Sequence, residues 1–123
     1  MIRGKKPPVI KVIAFRKTKD SPLETRVSPE ILDMTQYAKG RQVIRWRLDT
    51  VGYEFPTDGT AIEFTSPGAE ASFGKVEIEC DGRVASVLNK NRDGLAFAYN
   101  VRVVDSKTRE VAFLDPQIQN NSP

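Results

Sequence analysis

A period-two alternation of apolar and polar residues recurs along this chain and is cut at short intervals by Gly, Pro, Asp and Asn. Its longest run sets Leu95, Phe97, Tyr99, Val101 and Val103 against Ala96, Ala98, Asn100 and Arg102. Successive side chains of an extended strand point to opposite faces, so such runs demand strands buried on one side. Residues 41–49 repeat the pattern, with Ile44, Trp46 and Leu48 opposite Arg45, Arg47 and Asp49. Residues 9–15 read as a first strand, with Ile10, Val12 and Ala14 on one face and Val9, Lys11, Ile13 and Phe15 on the other. Pro7-Pro8 before it suits a strand start or an edge, because proline offers no ladder N–H.

Later segments follow the same grammar. Ile62 and Phe64 face inward from a short strand at 61–65, which follows a Pro56-Thr57-Asp58-Gly59 turn. Val76, Ile78 and Cys80 alternate with Lys75, Glu77 and Glu79, and Asp81-Gly82 joins them to residues 84–88, a hairpin signal. A turn at 105–108 feeds a last strand at 110–114, ended by Asp115-Pro116. Residues 28–40 support two readings. Ser28 at an N-cap, Pro29 at the first helical position and Gly40 at the end would frame a helix. Leu32 and Met34 alternate with Asp33 and Thr35 as in a strand, the reading the neighbouring strands favour. Short strands with frequent turns predict an all-β, two-sheet β-sandwich of about seven to nine strands. At 123 residues the chain has room for one domain. Residues 1–8 read as a basic N-terminal arm, 9–116 as the sandwich and 117–123 as a polar C-terminal tail anchored by Ile118.

Composition narrows the chemistry. The chain has no histidine, which removes Ser-His-Asp and Cys-His triads, His-ligated zinc and copper, and most general acid-base schemes near neutral pH. Its one cysteine, Cys80, cannot form an internal disulfide, which fits a reducing compartment and a cytoplasmic location. No apolar run approaches the roughly 20 residues that cross a bilayer, and the N-terminus lacks a signal-peptide core. The net charge of +3 conceals an asymmetry: residues 1–19 hold seven basic side chains (Arg3, Lys5, Lys6, Lys11, Arg16, Lys17, Lys19) and no acid. The remaining 12 basic and 16 acidic residues leave the rest at −4.

Ser28-Pro29-Glu30-x-Leu32-x-Met34, Gly40, Val43-x-x-Trp46-x-Leu48 and Tyr99-x-Val101-x-Val103 resemble strands of immunoglobulin-like and cupredoxin-like sandwiches. The ending Leu114-Asp115-Pro116-Gln117-Ile118-Gln119-Asn120, with Trp46-Arg47-Leu48 and Phe55-Pro56-x-Asp58-Gly59, is similar to the small bacterial proteins of the DP-EP family. The chain supplies one Asp-Pro pair and no Glu-Pro pair. That resemblance implies a β-sandwich with no assigned biochemical activity. The cupredoxin likeness stops at the metal, since blue copper takes two His and a Cys that this chain does not supply.

The candidate binding residues are cationic. Arg45 and Arg47, two apart on the wet face of the Trp46 strand, would form a strip with Arg102 if the Trp46 and Tyr99 strands are neighbours, and guanidinium pairs recognise phosphate or carboxylate well. Arg3, Lys5 and Lys6 of the N-terminal arm are further candidates for partner binding. Glu77, Glu79 and Glu63 are the acids available to neutralise such a strip. Glu77 and Glu79 as a catalytic pair, and Asp58 or Asp115 as presented carboxylates, read more simply as a solvated face and turn acceptors. Scattered glycines make no phosphate cradle, and no calcium-loop spacing occurs. These features point to a non-enzymatic binding or structural module, without metal or cofactor, that associates with a protein partner or with itself. The alternative is polyanion binding, nucleic acid included, through the basic N-terminal segment.

Overall fold

The computed structural model describes residues 7–122 and is an all-β sandwich of two mixed sheets. The first sheet runs β2 (Glu24–Ser28), β1 (Val9–Phe15), β4 (Gln42–Leu48), β8 (Val84–Asn89), β7 (Glu77–Glu79). The second centres on β9 (Ala96–Asp105), with β10 (Val111–Leu114) and β11 (Gln117–Gln119) on one side and β5 (Tyr53–Glu54) and β6 (Ile62–Phe64) on the other. Strand β3 (Ile31–Asp33) adds in parallel to β11. Among the described residues no helix is long and apolar enough to cross a membrane.

The alternation predicts the buried faces. Ile10, Val12 and Ala14 of β1, Ile44, Trp46 and Leu48 of β4, and Phe97, Tyr99, Val101 and Val103 of β9 are all buried between the sheets. At the centre Trp46 and Tyr99 meet edge to face, with ring centroids 5.4 Å apart. The Trp46 Nε1–H donates to Tyr99 Oη at 3.0 Å, so the buried indole donor finds its acceptor within the core. Burial pushes the Tyr99 phenol far above its ordinary pKa, which keeps it a neutral acceptor.

Several expectations are revised. Among the described residues eleven strands form where the alternation predicts seven to nine: β2 lies partly in residues 17–26, which read as a polar connection, and β11 lies beyond Asp115-Pro116 in the segment that reads as tail. Leu114 faces Val101 and Gln117 faces Ala98, so one register runs straight through Asp115-Pro116. Tyr99 N–H donates to Pro116 O at 3.1 Å, and Asp115-Pro116 interrupts the ladder without ending it. Residues 28–39 are neither one strand nor one helix: β3 leads into a single 3-10 turn, Met34–Gln36, capped by the Asp33 carboxylate on Thr35 N–H. Cys80 leaves its strand and is exposed, since Cys80, Asp81 and Gly82 take left-handed backbone angles to turn the chain into β8. Leu95, before β9, is exposed as well.

The segment read as a polar tail is a structural part of the sandwich. Ile118 of β11 is fully buried, and Asn120 and Asn121 follow it into the interior. Asn89 and Asn120 exchange side-chain amide bonds of 2.7 and 3.1 Å. Asn91 Oδ1 accepts from Asn121 N–H, and the Asn121 amide donates to Met34 O, both at 2.8 Å. Four asparagines thus enter the core because they complete one another's bonding, tying β8 to the end of the chain.

Two stability outcomes are expected. Tyr99→Phe strands the buried indole N–H and lowers unfolding free energy by about 1–3 kcal/mol, whereas Asn120→Ala strands the Asn89 amide at a cost of similar size. Urea unfolding followed by tryptophan fluorescence measures both; a change under about 0.5 kcal/mol in either variant, the range of ordinary surface substitutions, contradicts that account.

Candidate functional site

The outer face of the first sheet gathers four exposed cations. Strand β1 pairs in parallel with β4, Val9 facing Arg45 and Lys11 facing Arg47, and antiparallel with β2, Ile13 facing Arg26. Lys11, Arg26, Arg45 and Arg47 therefore share one exposed surface on three adjacent strands. Neighbouring strands lie about 4.8 Å apart and same-face residues about 7 Å apart along a strand, so these cations form a compact grid. Asp49 is its near counter-ion, accepting from Arg47 Nε at 2.9 Å and lying 3.8 Å from Lys11 Nζ. The Arg26 guanidinium stacks 5.8 Å above the Phe15 ring, which leaves its fork of donors free at the edges. Pro7, Val9, Lys11, Tyr37 and Arg47 enclose an open pocket of about 430 Å³, in which a phenol ring stands beside two cations.

Arg45 and Arg47 thus face solvent as expected, but the strip with Arg102 does not form. The Trp46 and Tyr99 strands are partners across the core rather than neighbours in one sheet, so Arg102 lies on the opposite outer face. There it pairs with Glu63, donates to Thr60 O at 3.1 Å and covers the Phe113 ring. Lys11 and Arg26 take its place beside Arg45 and Arg47. The alternation of Lys11, Arg45 and Arg47 shows in the sequence, whereas the strand that carries Arg26, in a stretch that reads as a polar connection, and the parallel pairing that sets Lys11 against Arg47 do not. Arg3, Lys5 and Lys6 lie outside the described residues. Lys6 is bonded to Pro7, which lines the Lys11–Arg47 pocket.

Not all of the N-terminal charge belongs to a binding surface. Arg16, at the end of β1, donates to Glu110 Oε1 at 2.7 Å, to Asp105 Oδ2 at 3.1 Å and to Ser21 O at 3.0 Å. It clasps the first sheet to the β9–β10 turn. Glu110 also accepts the Leu23 N–H at 2.9 Å, and Asp105 accepts the Lys107 and Thr108 N–H groups. Backbone donors, with Arg16 behind them, hold both carboxyls below their usual range, and the two carboxylates raise the Arg16 guanidinium in turn.

The acids divide into turn formers and an exposed edge. Asp58 accepts both the Thr60 N–H and hydroxyl, which holds its carboxyl below the usual value. Glu77 and Glu79 point outward from β7, two strands away from Arg45 and Arg47, with β8 between them. No ion pair among the described residues joins them to those arginines. The face is accordingly polarised, cationic over β2, β1 and β4 and anionic at β7. Glu77 and Glu79 do not confront each other across a cleft, the arrangement a carboxylate-pair hydrolase needs. Among the described residues no group of three or more Cys, Asp and Glu side chains is placed to hold a metal ion. No protein-family model matches the chain, and no curated protein matches it.

The Arg16 clasp generates a pH dependence of known sign. Asp105 and Glu110 have folded-state pKa values below their unfolded ones, so their contribution is present above pH of about 4 and lost as pH falls through the folded values. Thermal melts between neutral pH and acid should show a falling limb for the native chain and a shallower one for Asp105→Asn/Glu110→Gln; identical limbs exclude the clasp as its source.

Proposed function

We propose that the protein is a non-enzymatic binding module, a sandwich of the immunoglobulin-like or cupredoxin-like kind akin to the DP-EP proteins, working in the cytoplasm by contact with an anionic partner. Its binding surface is the grid of Lys11, Arg26, Arg45 and Arg47, and its ligand is a phosphate-bearing polyanion. The observation that carries this reading is the placement of four exposed cations on adjacent strands with Asp49 as the near counter-ion. Arginine forks bind phosphate oxygens in pairs, and the Tyr37 ring beside them offers a stacking surface. Chemistry by turnover has no support in the site, which offers neither a histidine nor an enclosed pair of acids. A second reading, association with a protein partner, is favoured by the outer edge of β7, which no strand among the described residues pairs.

Polyphosphate and a short single-stranded DNA distinguish a bare phosphate ligand from a nucleic acid. Fluorescence anisotropy between about 50 and 200 mM salt should give an affinity that falls steeply, each neutralised phosphate contributing about 0.7–0.9 to the log–log slope. Arg45→Ala/Arg47→Ala should flatten that slope by about 1.5, and removal of residues 2–6 should flatten it further. Salt-independent binding, or a double variant that binds as the native chain does, overturns the proposal.

A further inference from the structure

The edge strand β7 is built to receive another strand. Leu48 N–H donates to Arg83 O, which sets the phase of the β4–β8 ladder: residues 83, 85 and 87 turn their backbone groups toward β4, and 84, 86 and 88 turn theirs toward β7. The Gly74 N–H to Leu88 O bond obeys the same phase. Val84 and Ser86 therefore bond to Glu79 and Glu77, and Ile78 directs its own N–H and C=O away from the sheet. Among the described residues nothing bonds to them. They open on a cleft of about 700 Å³ between β7 and the 56–61 loop, a size typical of ligand-holding clefts at about 300–1,000 Å³. The far wall is held by Asp58 on Thr60 and by Arg102 on Thr60 O, and the Phe55 N–H to Gly82 O bond of 2.8 Å closes the cleft at the hairpin end. The cleft is preformed.

We propose that this cleft binds an extended peptide segment of another protein, added as a strand to the edge of β7, with basic side chains at alternate positions and apolar ones between them. The pleat dictates that pattern. On an added strand, the residue opposite Ile78 points inward toward half-buried Ile78 and Val76 and buried Ala61, a site for an apolar side chain. Residues opposite Glu77 and Glu79 point outward, with Cβ atoms about 4.5–5.5 Å from those of the glutamates, where lysine or arginine pairs favourably. The cleft carries Asp58, Glu77 and Glu79 against Lys75, an acidic lip on a chain of net charge +3. The same glutamates oppose pairing between two copies of β7, because like charges would then face each other across the new ladder. The occupant is a foreign strand rather than a second copy. The inference rests on reading the molecule as a contact module and uses a surface separate from the cationic grid.

The probe is a blocked, fluorescein-labelled heptapeptide, Thr-Lys-Val-Lys-Ile-Lys-Thr, titrated with the full chain by anisotropy and with the ¹⁵N-labelled chain by NMR. Saturable binding should appear, with amide shifts concentrated at residues 56–61 and 75–79. Methylation of the Val and Ile backbone nitrogens, which removes their N–H donors, should weaken binding at least tenfold. So should Glu77→Lys/Glu79→Lys, whose exposed positions leave the melting temperature unchanged, while Lys11→Glu/Arg47→Glu should leave peptide affinity intact. Equal affinity for the N-methylated peptide, shifts confined to other surfaces, indifference to the glutamate charge reversal, or dimerisation through β7 in place of peptide binding each overturns the proposal. Loss of polyanion binding alone would count against the cationic grid and not against this cleft.

Discussion

The contact between Trp46 and Tyr99 governs the rest of the molecule. Each sheet must hide one face, and each offers one large aromatic carrying a polar atom that is costly to bury alone. Joining the indole N–H to the phenol oxygen satisfies the indole donor, gives the phenol oxygen a partner and links β4 to β9 across the core. Everything on the outer faces follows from that choice by the two-residue period. With Trp46 inward, Arg45 and Arg47 must point out on one side; with Tyr99 inward, Arg102 must point out on the other.

Around that centre the sandwich is fastened at its margins by polar groups rather than by more apolar surface. The Arg16 clasp joins β1 to the β9–β10 turn, and the asparagine cluster joins β8 to the chain end after β11. Each works because every partner is satisfied; no buried side-chain nitrogen or oxygen among the described residues lacks a hydrogen bond. The margins left unfastened are the ones suited to contact. Of the cations over β2, β1 and β4, Lys11 and Arg47 pair with Asp49, while Arg26 and Arg45 join no ion pair among the described residues, and the outer edge of β7 keeps unused backbone groups beside a cleft. One face thus holds two surfaces of opposite sign, separated by the neutral side chains Val84, Ser86 and Leu88 of β8.

Residue by residue, the inward faces of β1, β4 and β9 were legible, because alternation reports burial directly. Asp58 and Gly59 were equally plain as a turn, since the carboxylate binds groups two residues away. The errors share a cause. Asn120 and Asn121 looked like tail residues because a lone asparagine belongs in water, and only a partner distant in sequence reverses that. Arg102 looked like a neighbour of Arg45 and Arg47 because three similar alternations carry no mark of which sheet each joins. Arg16 counts in the sequence only as one of seven cations in residues 1–19, and its partners Asp105 and Glu110 lie some ninety residues later.

The sequence alone determined that the chain forms strands, which side of β1, β4 and β9 turns inward, that Asp58-Gly59 makes a turn, and that the chain has no histidine. These are local properties, set by side-chain period and by turn residues acting within a few positions. Tertiary structure decided which strands adjoin, and with that which cations share a face, which acids they meet and which edge stays open. Strand pairing joins residues far apart in the chain through backbone groups that nearly every residue carries, so side-chain identity leaves little trace of it.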